Sequence, residues 1–338
     1  MIPWWSTDFG EPEKKAVCAA IDAKCISQGR VTRQFEERLA ATLGVPYVAC
    51  TTSGTTALTM ALLACGVGPG DEVIVPNRTW IATAHAVMMT GAKVVLADVM
   101  AIAPFLATVN TTRHTKAVIP VYLNGRNCPI HEGTEAALKK AGISVVADAC
   151  QMFPNAVPGD IACYSLSTAK IIATGQGGFC ATRDEGLYKE LKALRTHDVE
   201  DAMVPQVLTW KRFGYNFRFT DIQAAIGIAQ LDRLQERIDR LNEIHAIYAE
   251  SLPIEKADGV PLYAELRHQE PERLRAHLLE HGIEARPFYP SLHTAPYLNA
   301  KGEFPNSEKW SRGLILPSGP CQRLPDIRRV CDVIHDFR

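Results

Sequence analysis

The sequence predicts an α/β protein, with a largely parallel sheet covered by helices on both faces and a second, smaller unit after it. Three observations carry this. Short β-branched runs alternate with longer apolar helical patterns through the first half of the chain. The 338 residues exceed the roughly 250–300 that one core usually holds. A charged, amphipathic stretch near residues 231–245 separates this region from a C-terminal part with helices of its own.

Candidate strands cover 47–51, 72–75, 93–97, 117–121, 144–147, 161–165 and 179–182. Between the first five, "SGTTALTMALLACG" and "WIATAHAVMMTG" are apolar and end at glycine, as helices often do. Strand–helix–strand units of this kind build a parallel sheet buried on both faces. The link between the last two strands is short, which admits an antiparallel pair. After "GYNFRFTDIQAAIG" one long helix is expected. Leu231, Leu234, Ile238, Leu241 and His245 step by three and four along it, an apolar stripe on a solvated helix. The expected division is residues 1–245, including an N-terminal arm, and residues 246–338. The second part has a helix over 272–281, stopped by Gly282, and a final helix near 325–337.

Bulk properties exclude several classes. The net charge is −1 with 22% charged residues, so there is no basic footprint for nucleic acid or an anionic membrane. No apolar run reaches the roughly 20 residues that span a bilayer. "MIPWWSTDFGEPEKK" lacks the basic and apolar regions of a signal peptide. The ten cysteines show no CxxC pair and no metal-ligand rhythm, and several sit in apolar runs. They predict reduced, buried thiols and a cytoplasmic protein, with no metal site.

Four places carry candidate chemistry. In "TTSGTTAL" a strand gives way to a helix, where free N–H groups and the helix dipole suit an anion and Gly54 allows close approach. The same Ser and Thr residues would serve equally as an ordinary N-cap. In "VVADACQ", Asp148 ends an apolar strand, at the edge where open α/β sheets bind ligands. An N-cap or ion pair explains it as well. Lys170, in "STAKIIATGQGG", precedes its glycines and is followed by Ile171, which rules out a Walker-type loop. Its apolar neighbours instead suit a desolvated lysine that forms a Schiff base with an aldehyde. Pyridoxal phosphate needs such a lysine, an acid for its ring nitrogen and a phosphate cup, so the three signals reinforce one another. Trp80 follows a strand end, where it could stack on a cofactor ring or fill a core. Asn216 and Arg218, in "YNFRF", form a polar insert or a turn.

These motifs carry a resemblance. "FEERLAATLGVPYVACTTSGTTAL", "VGPGDEVIVPNRTWIATAHAV", "TKAVIPVYLNGR", "VVADACQ", "GDIACYSLSTAKIIATGQGGFCAT", "GYNFRFTDIQAAIGIAQL" and "GIEARPFYPSLHTAPYL" run nearly end to end. Together they resemble the DegT/DnrJ/EryC1/StrS sugar aminotransferases, within the aspartate-aminotransferase-like fold type I of pyridoxal-phosphate enzymes. That fold implies a mostly parallel seven-stranded sheet flanked by helices, plus a smaller C-terminal α+β domain. The resemblance implies pyridoxal 5′-phosphate (PLP, passing through its pyridoxamine form, PMP) with Lys170 as Schiff-base lysine and proton shuttle and Asp148 as partner of the ring nitrogen. It implies Gln151 on the ring oxygen, Gly54, Thr55 and Ser165 on the phosphate, and Trp80 stacked on the ring. It also implies a homodimer with shared active sites, in which Asn216 reaches the neighbour's phosphate and Arg218 supports that segment.

The implied reaction moves an amino group from an amino acid, L-glutamate, to a keto-sugar, most often a nucleotide-linked 4-keto-6-deoxy sugar, for surface polysaccharide (lipopolysaccharide) or antibiotic biosynthesis. A 3-keto sugar, a keto-inositol or an oxidised higher sugar acid such as an octulosonate is the alternative acceptor. Dehydratases of the family carry histidine at the lysine position, so Lys170 argues for amino transfer. Joint retention of lysine, aspartate and phosphate cup argues against a non-catalytic regulatory protein. The chain departs from the family at Tyr122, where histidine is usual, at "RTHD", residues 195–198, and in shortened segments at 99–115, 152–160 and 252–266. Two further residues are substrate candidates. Arg30 could meet a substrate carboxylate or phosphate, or only water. His293 could reach the substrate or pack within the C-terminal part. Trp4 and Trp5 are either lid or packing residues.

Overall fold

A computed structural model describes residues 1–107, 109–128, 132–198 and 212–337. The chain opens with an extended arm and two helices, α1 (Glu11–Asp22) and α2 (Arg30–Leu43). Then come β1 (Tyr47–Thr51), α3 (Gly54–Ala64), β2 (Glu72–Pro76), α4 (Ala82–Met89), β3 (Lys93–Ala97), β4 (Thr115–Val118), α5 (Glu132–Lys140), β5 (Ser144–Asp148), β6 (Ile161–Ser165), β7 (Gly178–Thr182) and α6 (Glu185–Arg195). Helices α7 (Asp221–Asp232) and α8 (Leu234–Ser251) lead to β8 (Ala264–Arg267), α9 (Pro271–Glu280), β9 (Arg286–Pro287), α10 (Pro305–Lys309), β10 (Gly313–Leu316) and α11 (Leu324–His335).

The first seven strands form one sheet in the order β1-β7-β6-β5-β4-β2-β3. The pairs from β6 to β3 are parallel, and β7 runs antiparallel to both β6 and β1. All seven expected strands are present, and the short link before β7 does produce an antiparallel pair. Successive residues of a strand point to opposite faces, and both faces here are apolar. Val48 and Cys50 join a core with Phe35 and Leu39 of α2, whereas Ala49 joins another with Leu58 and Leu62 of α3. The same alternation puts Phe179 and Ala181 on the first face and Cys180 on the second.

Two boundaries differ from the sequence-based expectation. Strand β4 covers Thr115–Val118 rather than 117–121, because Pro120 has no N–H with which to continue the ladder. Only an isolated bridge, Val121 to Asp148, follows it. The single long helix expected after "GYNFRFTDIQAAIG" breaks at Arg233, whose φ of −114° and ψ of 20° leave the helical region. The Arg233 guanidinium donates to Asp8 Oδ2 at 2.5 Å, so the N-terminal arm holds the break from outside. No local glycine or proline marks it.

The second sheet, β8-β10-β9, is antiparallel throughout. Its core takes Leu314 and Leu316 of β10, Leu274 and Leu278 of α9 and Ile327 and Val330 of α11. Helix α8 serves both sheets: Leu241 packs in the first core, and Ile244, Ile247 and Tyr248 pack in the second.

Buried charge reinforces the edge of the large sheet. Arg195 Nη1 donates to Glu36 Oε1 at 2.6 Å and to the Cys50 carbonyl at 2.9 Å, and Glu36 Oε1 also accepts from the Cys50 amide at 2.7 Å. Both side chains are nearly sealed, at 5% and 11% exposure. Arg195, in the "RTHD" stretch, is therefore a structural link between α6, α2 and β1. Arg195→Met leaves the Glu36 carboxylate buried without its cation. The expected loss is roughly 3–5 kcal/mol, read as a lower denaturation midpoint in guanidinium. Gly178 is a second fixed point, because a Cβ there would lie 2.4 Å from the Ser53 carbonyl carbon and oxygen. Gly178→Ala must displace backbone, and is expected to cost about 1–3 kcal/mol in the same assay.

Candidate active site

The sheet topology brings several strand ends to one edge. Because β2, β4, β5 and β6 are parallel and β7 is antiparallel to its neighbours, the carboxyl ends of β1, β2, β5 and β6 meet the start of β7 there. Gly178 pairs with both Thr51 and Ser165. The turn "TTSGTT" and Ser165 therefore flank the same glycine. A cavity of about 720 Å³ opens at this edge, and Gly54, Thr55, Trp80, Asp148, Gln151, Ser165 and Lys170 all line it.

Helix α3 begins on the cavity floor. Ser53 caps it, its hydroxyl accepting from the Thr56 amide at 3.1 Å, and the Thr56 hydroxyl in turn accepts from the Ser53 amide at 2.9 Å. The first N–H groups of a helix have no partner within it. With Thr56 satisfied by the cap, the Gly54 and Thr55 amides are left for a ligand. Glycine is required at 54, since a Cβ would stand 2.8 Å from Cys150 Sγ and 3.0 Å from Ser165 Cβ.

Asp148 ends β5 and is only 6% exposed. Its Oδ2 accepts from the Thr83 hydroxyl of α4 at 2.8 Å, and its Oδ1 accepts from the Cys150 amide at 3.2 Å. It forms no ion pair among the described residues. Gln151 Oε1 accepts from the Asn124 amide at 2.9 Å, which fixes that side chain at the cavity wall. Asn124 is itself buried with φ of 52°, and it clamps the Tyr263 backbone through both its Oδ1 and its Nδ2.

Lys170 follows β6 on a loop held from two directions. The carbonyl of Thr168 accepts from Trp5 Nε1 at 2.9 Å and from the Thr7 hydroxyl at 2.9 Å. The Ala169 carbonyl accepts from the Tyr263 hydroxyl at 3.1 Å. Gly175 and Gly177, with φ of 82° and 157°, then turn the chain back into β7. Burial holds the hydroxyls of Tyr263 and Tyr289 well above the ordinary phenol range, so both remain donors. Burial first, and then Asp148, also push the Cys150 thiol well above its usual value.

Trp80 is 53% exposed and meets the Tyr289 ring edge-on, with centroids 5.0 Å apart. Behind it, buried Arg78 donates to the carbonyls of Tyr289 and Trp310 at 2.8 and 2.9 Å. Trp4 and Trp5 have distinct places. Trp5 is buried and holds the lysine loop, while Trp4 lines the cavity.

Three sequence candidates lie outside this lining. Arg30 is exposed at the start of α2, with its Nε donating to Cys25 Sγ at 3.2 Å. His293 bonds through Nδ1 to Asn77 at 2.8 Å and stacks on Phe304. Asn216 is exposed and accepts from Arg218 Nε at 2.9 Å. Conversely, the cavity contains Tyr122, Tyr263, Arg286 and Tyr289, which sequence reasoning did not select as site residues. Arg286 and Tyr289 fall in "ARPFYP", whose mixture of charge and aromatics was the one available signal. Tyr263, alone in "GVPLYAEL", offered none. The Tyr122 hydroxyl is buried without a hydrogen-bond partner among the described residues.

The chain is similar to known proteins over most of its length. The chain is 32% identical to GDP-perosamine synthase of Escherichia coli O157:H7, across 99% of this chain and 98% of that protein. It is 33% identical to the UDP-N-acetyl-3-dehydro-alpha-D-glucosamine 3-aminotransferase of Acidithiobacillus ferrooxidans, across 90% and 88%. The crystal structure of S. venezuelae DesV, in complex with a ketimine intermediate, superposes with a TM-score of 0.87 at 28% identity, covering 96% of this chain and 93% of that one. The model of the DegT/DnrJ/EryC1/StrS aminotransferase family matches residues 7–335, and the chain belongs to that family.

Proposed function

We propose that this sugar aminotransferase moves an amino group from L-glutamate to a nucleotide-linked 4-keto-6-deoxy sugar, using pyridoxal 5′-phosphate held in the Lys170 cavity. The observation that carries the reading is the pairing of an amine and a carboxylate in one cavity. Lys170 lines it, and Asp148 is buried in it with no ion-pair partner among the described residues. A buried carboxylate needs a compensating charge, which a protonated ring nitrogen would supply. The Gly54 and Thr55 amides with Ser165 match a phosphate group. The residues present therefore fit the cofactor.

In this reading Lys170 would hold the cofactor through its amine, Asp148 its ring nitrogen, Gln151 its ring oxygen and Trp80 its face. Bound pyridoxal phosphate supplies an electron sink for the carbanion left when the donor loses its α-proton. Lys170 Nζ takes that proton and later returns one to the acceptor's carbon. The Trp5 and Tyr263 hydrogen bonds on either side of Ala169 fix the backbone from which the amine reaches. Because the Cys150 thiol stays protonated at neutral pH, Lys170 meets no thiolate competitor for the aldehyde.

The 4-keto acceptor is drawn from the relative named GDP-perosamine synthase. A second reading keeps the chemistry and moves the keto carbon to position 3, as in the name of the Acidithiobacillus relative. We further propose a homodimer, in which exposed Asn216 serves the neighbour's phosphate site with Arg218 beside it. We place the cofactor unit at residues 1–245 and the small domain at 246–338. No helix among the described residues is long and apolar enough to cross a membrane. We assign the enzyme to the cytoplasm and its product to surface polysaccharide, lipopolysaccharide included, or antibiotic glycoside synthesis.

Purified enzyme is expected to carry the cofactor's visible absorbance and lose it on addition of L-glutamate. Lys170→Ala and Asp148→Asn should each lower turnover by roughly 10²–10⁴-fold while the protein stays folded. A Lys170→Ala enzyme with wild-type turnover would sink the assignment. A mass-read screen of 4-keto and 3-keto nucleotide sugars separates the two acceptors. Iodoacetamide at pH 7.5 is expected to modify exposed Cys18 while sparing Cys150, whose raised pKa keeps the thiolate scarce below pH 9. Peptide mapping checks this, and rapid loss of Cys150 would contradict it.

A further inference from the structure

We infer that Arg286 receives a phosphate group of the acceptor substrate, and so selects acceptors that carry one. The inference rests on the amino-transfer reading above. Among the described residues, the cavity is lined by two cationic side chains, Lys170 and Arg286. Lys170 is committed to the cofactor and the proton. An anionic substrate entering this cavity has Arg286 as its remaining cationic partner.

The guanidinium is built for that task. Arg286 lies on β9, and its backbone pairs with Ile315 of β10, so its origin is fixed by a sheet. Its charged end sits 4.0 Å from the centroid of the Trp4 ring. Stacking of this kind uses the face of the fork and leaves the N–H groups on its edge free. It forms no ion pair among the described residues, although Glu284 is two residues away and accepts from the Trp4 amide. Trp4 is in turn tied down, its carbonyl accepting from the Ser318 amide at 2.7 Å. A planar fork on an immobile aromatic suits bidentate contact with phosphate oxygens.

Exposure favours phosphate over the donor's carboxylate. Lys170 is half-buried, whereas Arg286, in the same cavity lining but on the small sheet, is exposed. The α-carboxylate of an amino acid is attached to the reacting carbon. The phosphate of a glycosyl nucleotide is attached to the anomeric carbon, on the far side of the sugar ring from a keto group at position 4.

The test uses holoenzyme and two variants, Arg286→Gln and Arg286→Lys. Calorimetric titration with GDP and with UDP reads phosphate binding directly. Glutamate conversion, followed at the cofactor absorbance, reads the donor half-reaction separately. Arg286→Gln is expected to weaken binding of the preferred nucleoside diphosphate by roughly 10–100-fold, with the apparent affinity for glutamate retained. Arg286→Lys, which keeps the charge and loses the fork, should fall between it and the wild type. A loss confined to glutamate affinity would overturn the inference in favour of the carboxylate. A parallel loss in both, with weaker cofactor retention, would reduce Arg286 to a packing partner of Trp4 and overturn it too. So would unchanged nucleotide binding in both variants, or a wild type that binds neither GDP nor UDP. A wild type whose absorbance glutamate leaves untouched would instead overturn the amino-transfer reading beneath it.

Discussion

A carboxylate, Asp148, with 6% exposure and no ion-pair partner among the described residues is the constraint around which this molecule is arranged. The Thr83 hydroxyl and the Cys150 amide donate to it, and neither carries a charge. In a low-dielectric interior that leaves its charge under-compensated, and a cationic ligand is favoured there. The supporting structure follows from holding this group still. Strand β5 is central, flanked by parallel neighbours, and both of its faces are packed. Asp148 also exchanges backbone hydrogen bonds with the segment after β4, its amide reaching Pro120 and its carbonyl accepting from Tyr122 at 2.9 Å each. The backbone of the acid is therefore fixed at the cavity that it lines together with Lys170.

Much of this was legible in the sequence, for identifiable reasons. Strands buried on both faces appear as short, nearly continuous apolar runs, and each of the seven produced one. Asp148 stood out because it ends such a run, and Lys170 because of its apolar neighbours, whereas Ser165 came only from the family resemblance. What escaped notice depends on contacts between distant segments. The break at Arg233 is held by Asp8, and Tyr263 enters the site from β8's approach. None of these positions carries a local pattern, because the partner that gives it meaning lies hundreds of residues away in the chain. The small sheet escaped for a related reason. Strand β9 is two residues long, and it exists because β10 pairs with it.

The N-terminal arm joins the two sheets at the site. Ile2 exchanges backbone bonds with Gly282 and Glu284, and Trp4 and Ser6 bond with Ser318, so the arm is part of the small unit. Trp5 then reaches the Thr168 carbonyl on the lysine loop. Rigid attachment on one side and a directed hydrogen bond on the other make the arm a brace between the small sheet and Lys170. The lysine backbone is thus located by residues from three parts of the chain: the arm, β6 and Tyr263.

That arrangement divides the cavity's charges by exposure. In the proposed reading Asp148 and Lys170 would meet the ring and the reacting carbon; the backbone of Asp148 is fixed by its strand neighbours, and the residues before Lys170 are held by Trp5 and Tyr263. Arg286 is exposed, lies on the other sheet, and is oriented by an aromatic face rather than by a carboxylate. A carboxylate partner would have neutralised the guanidinium and held its donors. A tryptophan face restrains the same group while leaving its charge and its edge exposed. The brace formed by the arm carries that tryptophan, so the same segment that steadies the lysine loop also aims the outer cation. In the proposed reading, the chemistry common to the family is set by the residues of the large sheet, and discrimination between acceptors falls to the residues that the small sheet and the arm add to the cavity lining.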